Sequence, residues 1–293
     1  MDVYQIVTEK IIAQLEAGTV PWRRPWSGGN GMPRNFASKK EYRGINLFLL
    51  GCQQYHSPYW LTYRQAEERG GIIRKGEKAT MVAFWKLMDR SYEAAGTDDS
   101  IDSRAPGKIP LLRYYNVFNL EQCEGIPSPP SETPTYQFTP IEKAEQIIAG
   151  YKNRPNIHYG GNRAFYRPAE DRVQMPYEYT FEQPEVFYAV LMHELAHSSG
   201  AAHRLARKEV MDHHAFGSEF YSAEELCAEF CSSYLCAVAG ISNQTIDLAA
   251  SYIDGWLNVL KKDKKMLVIA AARAQAAADY ILGRKFGVEE EPA

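Results

Sequence analysis

Hydrophobic and polar positions in the first half of the chain form short segments that turns separate. The spacing of the apolar positions predicts three helices and then two paired strands, at residues 3–15, 44–55, 63–69, 80–88 and 111–120. Gly18 follows the first helix and ends it, and Thr62 is placed to cap the third. The polar residues 91–110 between the two strands predict a hairpin tip. We therefore expect a small α+β domain in this half.

Prolines mark a boundary in the middle of the chain. Residues 124–139 contain four prolines, and a stretch of this composition stays extended and cannot join a core. We interpret it as a linker between a first domain, residues 1–123, and a second domain, residues 140–293.

The pattern in the second domain is mostly helical. It predicts helices at 140–151, 185–198 and over most of 222–283, with short strands at 156–160, 164–168 and 171–176. The fold class predicted for the whole chain is α+β in two domains, the second mainly helical with a small sheet.

Charge and aromatic residues are divided unevenly between the halves. Residues 1–90 carry 14 Lys and Arg side chains against 8 Asp and Glu, together with four of the five tryptophans. Residues 131–293 carry 16 basic against 22 acidic side chains. A basic, tryptophan-rich segment favours nucleic acid as the partner of the first half.

Several protein classes are excluded by what the chain lacks. No apolar run reaches the roughly 20 residues of a membrane-spanning helix, and the first ten residues do not resemble a secretory signal. We therefore expect a cytoplasmic protein that does not enter the membrane. The five cysteines form no C-x-x-C pair, which excludes zinc-ribbon and thioredoxin-type sites and favours buried, reduced thiols.

The strongest chemical signal is the segment His-Glu-Leu-Ala-His at 193–197. Two histidines four residues apart on a helix project from one face, close enough to bind one zinc ion. Glu194 is placed to reach a water molecule on the metal and to act as general base. We therefore predict one divalent metal ion, expected to be zinc, held by His193 and His197.

A zinc site needs a third protein ligand, and the residues leave three alternatives. His203 completes the pattern H-E-x-x-H-x-x-G-x-x-H, in which the glycine lets the chain turn back toward the metal. Glu225 and Glu229 lie on a later helix whose neighbouring residues are apolar. A carboxylate beside a buried face requires a partner such as a metal.

A cluster in the first half combines indole rings with basic side chains. Indoles stack on unpaired bases and guanidinium groups neutralise phosphates, which suits single-stranded DNA held without sequence readout. Alternatively, the tryptophans pack a proline-rich loop onto its own core. The candidate residues for binding nucleic acid are Trp22, Arg23, Arg24, Trp26, Arg43 and Lys75.

The chain resembles the ArdC-type antirestriction proteins, which plasmids and phages encode. In the second half the resemblance rests on IHYGGNRAFYRPAEDRVQMP, HELAHSSG, FGSEFYSAEELCAEF and YIDGWLNVLKKDK, and in the first half on EAGTVPWRRPW, YRGINLFLL, YWLTYRQAEERGG and RKGEK. It implies an N-terminal domain that binds single-stranded DNA and a zincin-like metallopeptidase domain. Zincins of this kind use a downstream glutamate, and His203 stands where the family usually has a small polar residue. The resemblance therefore favours Glu229 as the third ligand.

The resemblance implies a protein that binds and protects incoming single-stranded DNA during plasmid transfer, with a peptidase-like domain acting on subunits of restriction-modification enzymes. It also implies that residues 171–176 form an edge strand on which a peptide substrate pairs. The alternative is a non-enzymatic protein that coats the strand and uses its metal only structurally. The intact Glu194 favours the enzyme, because a structural site needs no base.

Overall fold

The computed structural model describes residues 2–23, 32–53, 55–89, 108–127, 129, 139–211, 219–241 and 250–285. The helices within these residues are α1 (Val3–Glu16), α2 (Ile45–Gly51), α3 (Tyr63–Glu67), α4 (Pro140–Gly150), α5 (Pro184–Ser198), α6 (Lys208–Met211), α7 (Glu219–Ala239), α8 (Ala250–Lys262) and α9 (Met266–Ile281). The strands are β1 (Arg34–Asn35), β2 (Tyr59–Leu61), β3 (Ile72–Ile73), β4 (Thr80–Asp89), β5 (Lys108–Asn119), β6 (Cys123–Glu124), β7 (Asn156–Tyr159), β8 (Phe165–Arg167) and β9 (Arg172–Met175).

A four-stranded sheet in the order β1-β2-β5-β4 forms the scaffold of the first half. β4 and β5 pair antiparallel from Thr80 opposite Val117 to Asp89 opposite Lys108, so the predicted pairing of these strands is confirmed. Most of the hairpin tip predicted at 91–110 lies outside the described residues. β3 and β6 pair separately as a two-stranded sheet.

Capping residues begin two of the helices that the sequence predicts. The Thr62 hydroxyl accepts a hydrogen bond from the Gln65 amide, and the Gln65 side chain accepts one from the Thr62 amide, which is a capping box at the start of α3. Thr139 and Glu142 form the same box at the start of α4, with Pro140 in the first helical turn. Both helices therefore begin where the sequence predicts.

A bundle of helices and a small sheet form the second half. α7 packs against both α5 and α9, and the sheet lies against α5 through β8 and β9. The strand order is β7-β9-β8, with β9 parallel to β7 and antiparallel to β8. The expectation that residues 171–176 form an edge strand is wrong, because β9 pairs on both sides. None of the helices described has the length and apolar character needed to cross a membrane.

The two halves share one hydrophobic core, and Trp22 is one of its fully buried residues. The Trp22 side chain is fully buried between Phe48 of α2, Phe230 of α7 and Trp256 of α8. The three ring centroids lie 6.3, 4.8 and 5.1 Å from the indole, each pair in an edge-to-face arrangement. Aromatic quadrupoles favour this geometry, which adds to the stabilisation from burial.

Hydrogen bonds also join the two halves. The Thr8 hydroxyl of α1 donates to the Lys264 carbonyl at 2.7 Å, and the Gly44 amide donates to the Gln275 side chain of α9 at 2.9 Å. The halves are therefore in direct contact and are not held together by the linker alone. The domain boundaries at 124–139 stay a prediction, since most of these residues lie outside the described part of the chain.

Replacing Trp22 tests whether the shared core holds the protein together. We expect Trp22→Ala to lower the free energy of unfolding by about 3–5 kcal/mol, because it leaves a large cavity between three aromatic rings. Trp22→Phe keeps part of the packing and should lower the free energy of unfolding by less. Urea denaturation followed by circular dichroism measures both. A Trp22→Ala protein that unfolds at the wild-type urea concentration would contradict this role.

Candidate metal centre

The candidate metal centre lies where α5 meets α7. α5 begins with Pro184, whose ring suits the first helical turn, and most of the helix is buried. His193 and His197 lie one turn apart on it, with ring centroids separated by 4.8 Å. α7 packs against this helix and carries Glu225 and Glu229, also one turn apart.

Two imidazoles and one carboxylate converge on a common point. The Nε2 atoms of His193 and His197 lie 3.1 Å apart. The carboxylate oxygens of Glu225 lie 3.5 Å from Nε2 of His193 and 3.4 Å from Nε2 of His197. Tetrahedral bonds of about 2.0–2.2 Å to zinc place neighbouring ligand atoms roughly 3.3–3.6 Å apart. The three side chains therefore fit one divalent ion in both chemistry and spacing.

Two further carboxylates lie on the side of the opposite ring nitrogens, and only that of Glu224 is within hydrogen-bonding distance. Oε1 of Glu229 lies 3.9 Å from Nδ1 of His193, and Oε1 of Glu224 lies 3.1 Å from Nδ1 of His197. The two nitrogens of an imidazole point to different sides of the ring, so a carboxylate at Nδ1 is not placed to bind an ion at Nε2. Carboxylates in this outer position orient the ligand rings. The prediction of Glu229 as third ligand therefore does not fit the geometry, which puts Glu225 there.

His203 lies outside this cluster. Its side chain is 55% exposed, and its Nε2 lies 3.4 Å from the carboxylate of Asp171. Gly200, which turns the chain toward the metal in the alternative pattern, has another use here. A Cβ atom at Gly200 would lie only 2.5 Å from the Val210 side chain and 2.9 Å from the Arg207 guanidinium. The glycine therefore makes room for Arg207 and does not direct His203 toward the metal ligands.

Burial and charge act in opposite directions on the groups of the cluster. Burial lowers the pKa of His197, but Glu225 and Glu224 raise it well above its usual value. Burial raises the pKa of Glu225, but the two imidazoles bring it far below its usual range. Glu225 therefore stays anionic, which is the state in which a carboxylate binds a metal.

Glu194 is the predicted general base, and it is buried within α5 with 8% of its surface exposed. Burial lowers the pKa of His193, while the carboxylates of Glu225 and Glu194 contribute to raising it above its usual value. The carboxylate of Glu194 therefore lies close enough to His193 to act on its charge.

Two of the residues predicted to bind DNA have structural partners. The prediction for Trp22 is wrong, because its indole is fully buried and cannot stack on a base. Its place in the core follows from the contacts with aromatic rings of both halves. Arg43 is paired with Asp279 of α9, so much of its charge is neutralised where the halves meet.

The other predicted residues are exposed or not described. Lys75 lies exposed in the turn that follows β3. Arg24 and Trp26 lie outside the described residues, as does the side chain of Arg23.

Sequence reasoning missed Glu224 and Arg207, which are both buried next to the cluster. A signal for Glu224 exists, because residues 223–230 carry three carboxylates among apolar neighbours and one metal does not need all of them. Arg207 directly precedes α6 and gives no such local signal.

Two protein-family models match the chain in sequence. Residues 1–118 match the N-terminal domain of the anti-restriction factor ArdC, and residues 142–273 match a zincin-like metallopeptidase. The two matches together extend over most of the chain and lie in the order that the resemblance implies.

Named relatives match over nearly the whole chain. "Uncharacterized protein y4eC" of Sinorhizobium fredii (strain NBRC 101917 / NGR234) is 38% identical over 287 residues, which is 96% of this chain and 91% of that protein. "DNA primase TraC" of Escherichia coli is 36% identical over 295 residues, but these are only 27% of its length. The chain therefore spans about a quarter of that primase.

Two solved structures share the fold. The metal-free structure of the antirestriction ArdC protein from plasmid R388 has a TM-score of 0.75 and 35% identity, covering 96% of this chain and 97% of that one. Its Mn(II)-bound structure has a TM-score of 0.75 and 34% identity, covering 97% and 98%. Together with the zincin-like domain, the Mn(II)-bound relative indicates a divalent metal. Since the likeness to a solved ArdC protein extends over nearly the full length of both chains, this chain belongs to the ArdC antirestriction family.

Proposed function

We propose that this protein binds and protects incoming single-stranded DNA during plasmid transfer, and that its second half is a metal-dependent peptidase acting on subunits of restriction-modification enzymes. Both activities take place in the cytoplasm, where transferred DNA meets the restriction enzymes of the host. The family supports the antirestriction part, and the match of residues 1–118 to the ArdC N-terminal domain supports DNA binding.

The observation that carries the peptidase part is the convergence of His193, His197 and Glu225 beside the buried Glu194. A divalent cation on these three side chains would polarise a peptide carbonyl and lower the pKa of the attacking water. Glu194 takes the proton of that water and passes it to the leaving amine. Zinc is the proposed metal, because two imidazoles and one carboxylate are the ligand set of several zinc peptidases.

The DNA-binding part of the proposal rests on exposed basic residues of the first half and not on Trp22. Lys39 and Lys75 are exposed there, and exposed basic side chains attract phosphates without reading sequence. Arg23, Arg24 and Trp26 stay predictions for DNA binding.

One observation favours a second candidate, in which the protein coats DNA without cleaving anything. α7 carries both Glu225 of the metal centre and Phe230, which packs on Trp22. A metal bound to α7 would therefore stabilise the core that joins the two halves by mass action. Such a metal is useful even to a protein without peptidase activity.

Three single substitutions separate the alternatives for the third metal ligand. Glu225→Ala should lower the affinity for Zn²⁺ by orders of magnitude, because only two imidazoles remain as ligands. Glu229→Ala should weaken binding by about 10- to 100-fold, since an outer carboxylate is lost. His203→Ser should bind as the wild type does. Chelator competition measures the affinities. If Glu229→Ala binds Zn²⁺ more weakly than Glu225→Ala does, Glu229 is the third ligand, as the sequence predicts.

Glu194→Gln separates cleavage from binding. The amide keeps the size of the side chain but accepts no proton, so peptidase activity should vanish while metal content and DNA affinity stay within about twofold of wild type. Cleavage of purified restriction subunits and protection of plasmids in a restriction challenge are the measurements. Full protection by the metal-loaded variant would refute the proteolytic mechanism and leave the second candidate standing.

DNA binding should be tested on the full chain, because residues 1–123 alone would expose the core around Trp22. We expect preference for single-stranded over duplex oligonucleotides and affinity that falls as salt rises, since phosphate contacts release counterions. Fluorescence anisotropy should show weaker binding for Lys75→Glu, with Lys285→Glu, an exposed lysine after α9, as the control for charge alone. Equal affinity for duplex and single strand would contradict the proposed partner.

A further inference from the structure

Arg207 is a buried cation behind the metal centre, with only 7% of its surface exposed. Its guanidinium donates to both oxygens of Glu224, at 2.9 and 2.6 Å. It also donates to the Ser199 hydroxyl and to the Ala196 carbonyl, each at 2.8 Å. The side chain is therefore fixed by four hydrogen bonds, two of them to the end of α5.

Glu224 connects this arginine to a ligand of the metal centre. The Oε1 atom that accepts from Arg207 also lies 3.1 Å from Nδ1 of His197. A carboxylate only accepts, so Nδ1 carries a proton. In the neutral ring, which is the form that binds a metal, the lone pair of His197 is then on Nε2, the atom that faces His193 and Glu225.

A buried ion pair of this kind adds little to stability by itself. Removing Arg207 and Glu224 from water costs roughly what their attraction returns, and an apolar pair of similar volume is often as stable. The chain nevertheless makes room for this pair. A side chain at position 200 would collide with the Arg207 guanidinium, and the residue there is glycine. Its contact with His197 gives it a use that an apolar pair cannot supply.

We propose that Glu224 and Arg207 are positioning residues of the metal centre, which hold His197 in the ring orientation and tautomer that present Nε2 to a divalent metal. Arg207 acts through Glu224, by fixing the carboxylate at the distance that Nδ1 needs. This inference rests on the proposed metal site and adds two residues to it.

Arg204 offers a matched control in the same connection between α5 and α6. Its side chain is 1% exposed and binds both oxygens of Asp171 at 2.7 Å, as Arg207 does with Glu224. It also donates to the carbonyls of Ser198 and Asn153. Arg204 thus matches Arg207 in burial and pairing, but its carboxylate partner does not contact a histidine of the metal centre.

The test compares Arg207→Met with Arg204→Met in the full chain, and uses Mn²⁺ alone as the probe. Electron paramagnetic resonance counts free Mn²⁺ in a titration, and thermal unfolding without metal measures stability. We expect Arg207→Met and Glu224→Gln to weaken Mn²⁺ binding by about 10- to 100-fold. Arg204→Met should lower the melting temperature yet bind Mn²⁺ as the wild type does.

Each result has a distinct meaning. If the wild type binds no Mn²⁺ or Zn²⁺, the metal site of the proposed function fails. If the wild type binds and both Arg207→Met and Glu224→Gln bind equally well, the metal site stands and the positioning role is refuted. Equal losses of affinity in Arg204→Met and Arg207→Met would likewise refute it, since general destabilisation would then explain both.

A second measurement does not depend on metal affinity. In ¹⁵N-labelled protein without metal, at a pH high enough for the His197 ring to be neutral, the imidazole shifts of His197 should show the proton on Nδ1, and Glu224→Gln should lose this preference. Glu224→Gln keeps the size of the side chain, so it provides a folded variant if Arg207→Met does not fold. An unchanged tautomer in Glu224→Gln would overturn the proposal.

Discussion

The packing of α7 against α5 is the contact on which the metal centre depends. α5 supplies two imidazoles and α7 supplies the carboxylates, so neither helix carries a site by itself. Leu226 and Phe230 of α7 are buried in the core, and the Ser232 hydroxyl of α7 donates to the Ala189 carbonyl of α5 at 2.8 Å. Because Glu225 and Glu229 are one helical turn apart, the register of this contact decides which of them faces both Nε2 atoms.

The same helix joins the two halves of the molecule. Phe230 lies against Trp22, and Ser233 donates a hydrogen bond to the Trp22 carbonyl. The segment before the first sheet is therefore anchored in the second half, where the Trp22 indole packs on Phe230 and Trp256, while Phe48 of the first half is its third aromatic neighbour. Trp22, which the sequence pattern assigns to DNA binding, instead stabilises the contact between the two halves.

Local signals explain what the sequence predicts well. The capping box at Thr62, the helix start at Pro140 and the spacing of His193 and His197 depend on residues a few positions apart, so they can be found without the fold. Three features depend on contacts between distant segments and could not be found in this way. They are the order of the strands around β9, the choice of Glu225, and the use of Arg207 behind the second histidine.

Loss of the metal and loss of the base are therefore different perturbations of this protein. Glu225 and Phe230 are five residues apart on α7, about 7.5 Å along its axis, so a ligand and a core contact belong to one rigid element. Substitutions of residues that share partners do not act independently. Under the proposed function, emptying the site would disturb the contact between α5 and α7 and, through Phe230, the environment of Trp22. Neutralising Glu194 would remove a proton acceptor on α5 and leave that packing in place, so the two proposed activities should separate at Glu194 and not at the metal.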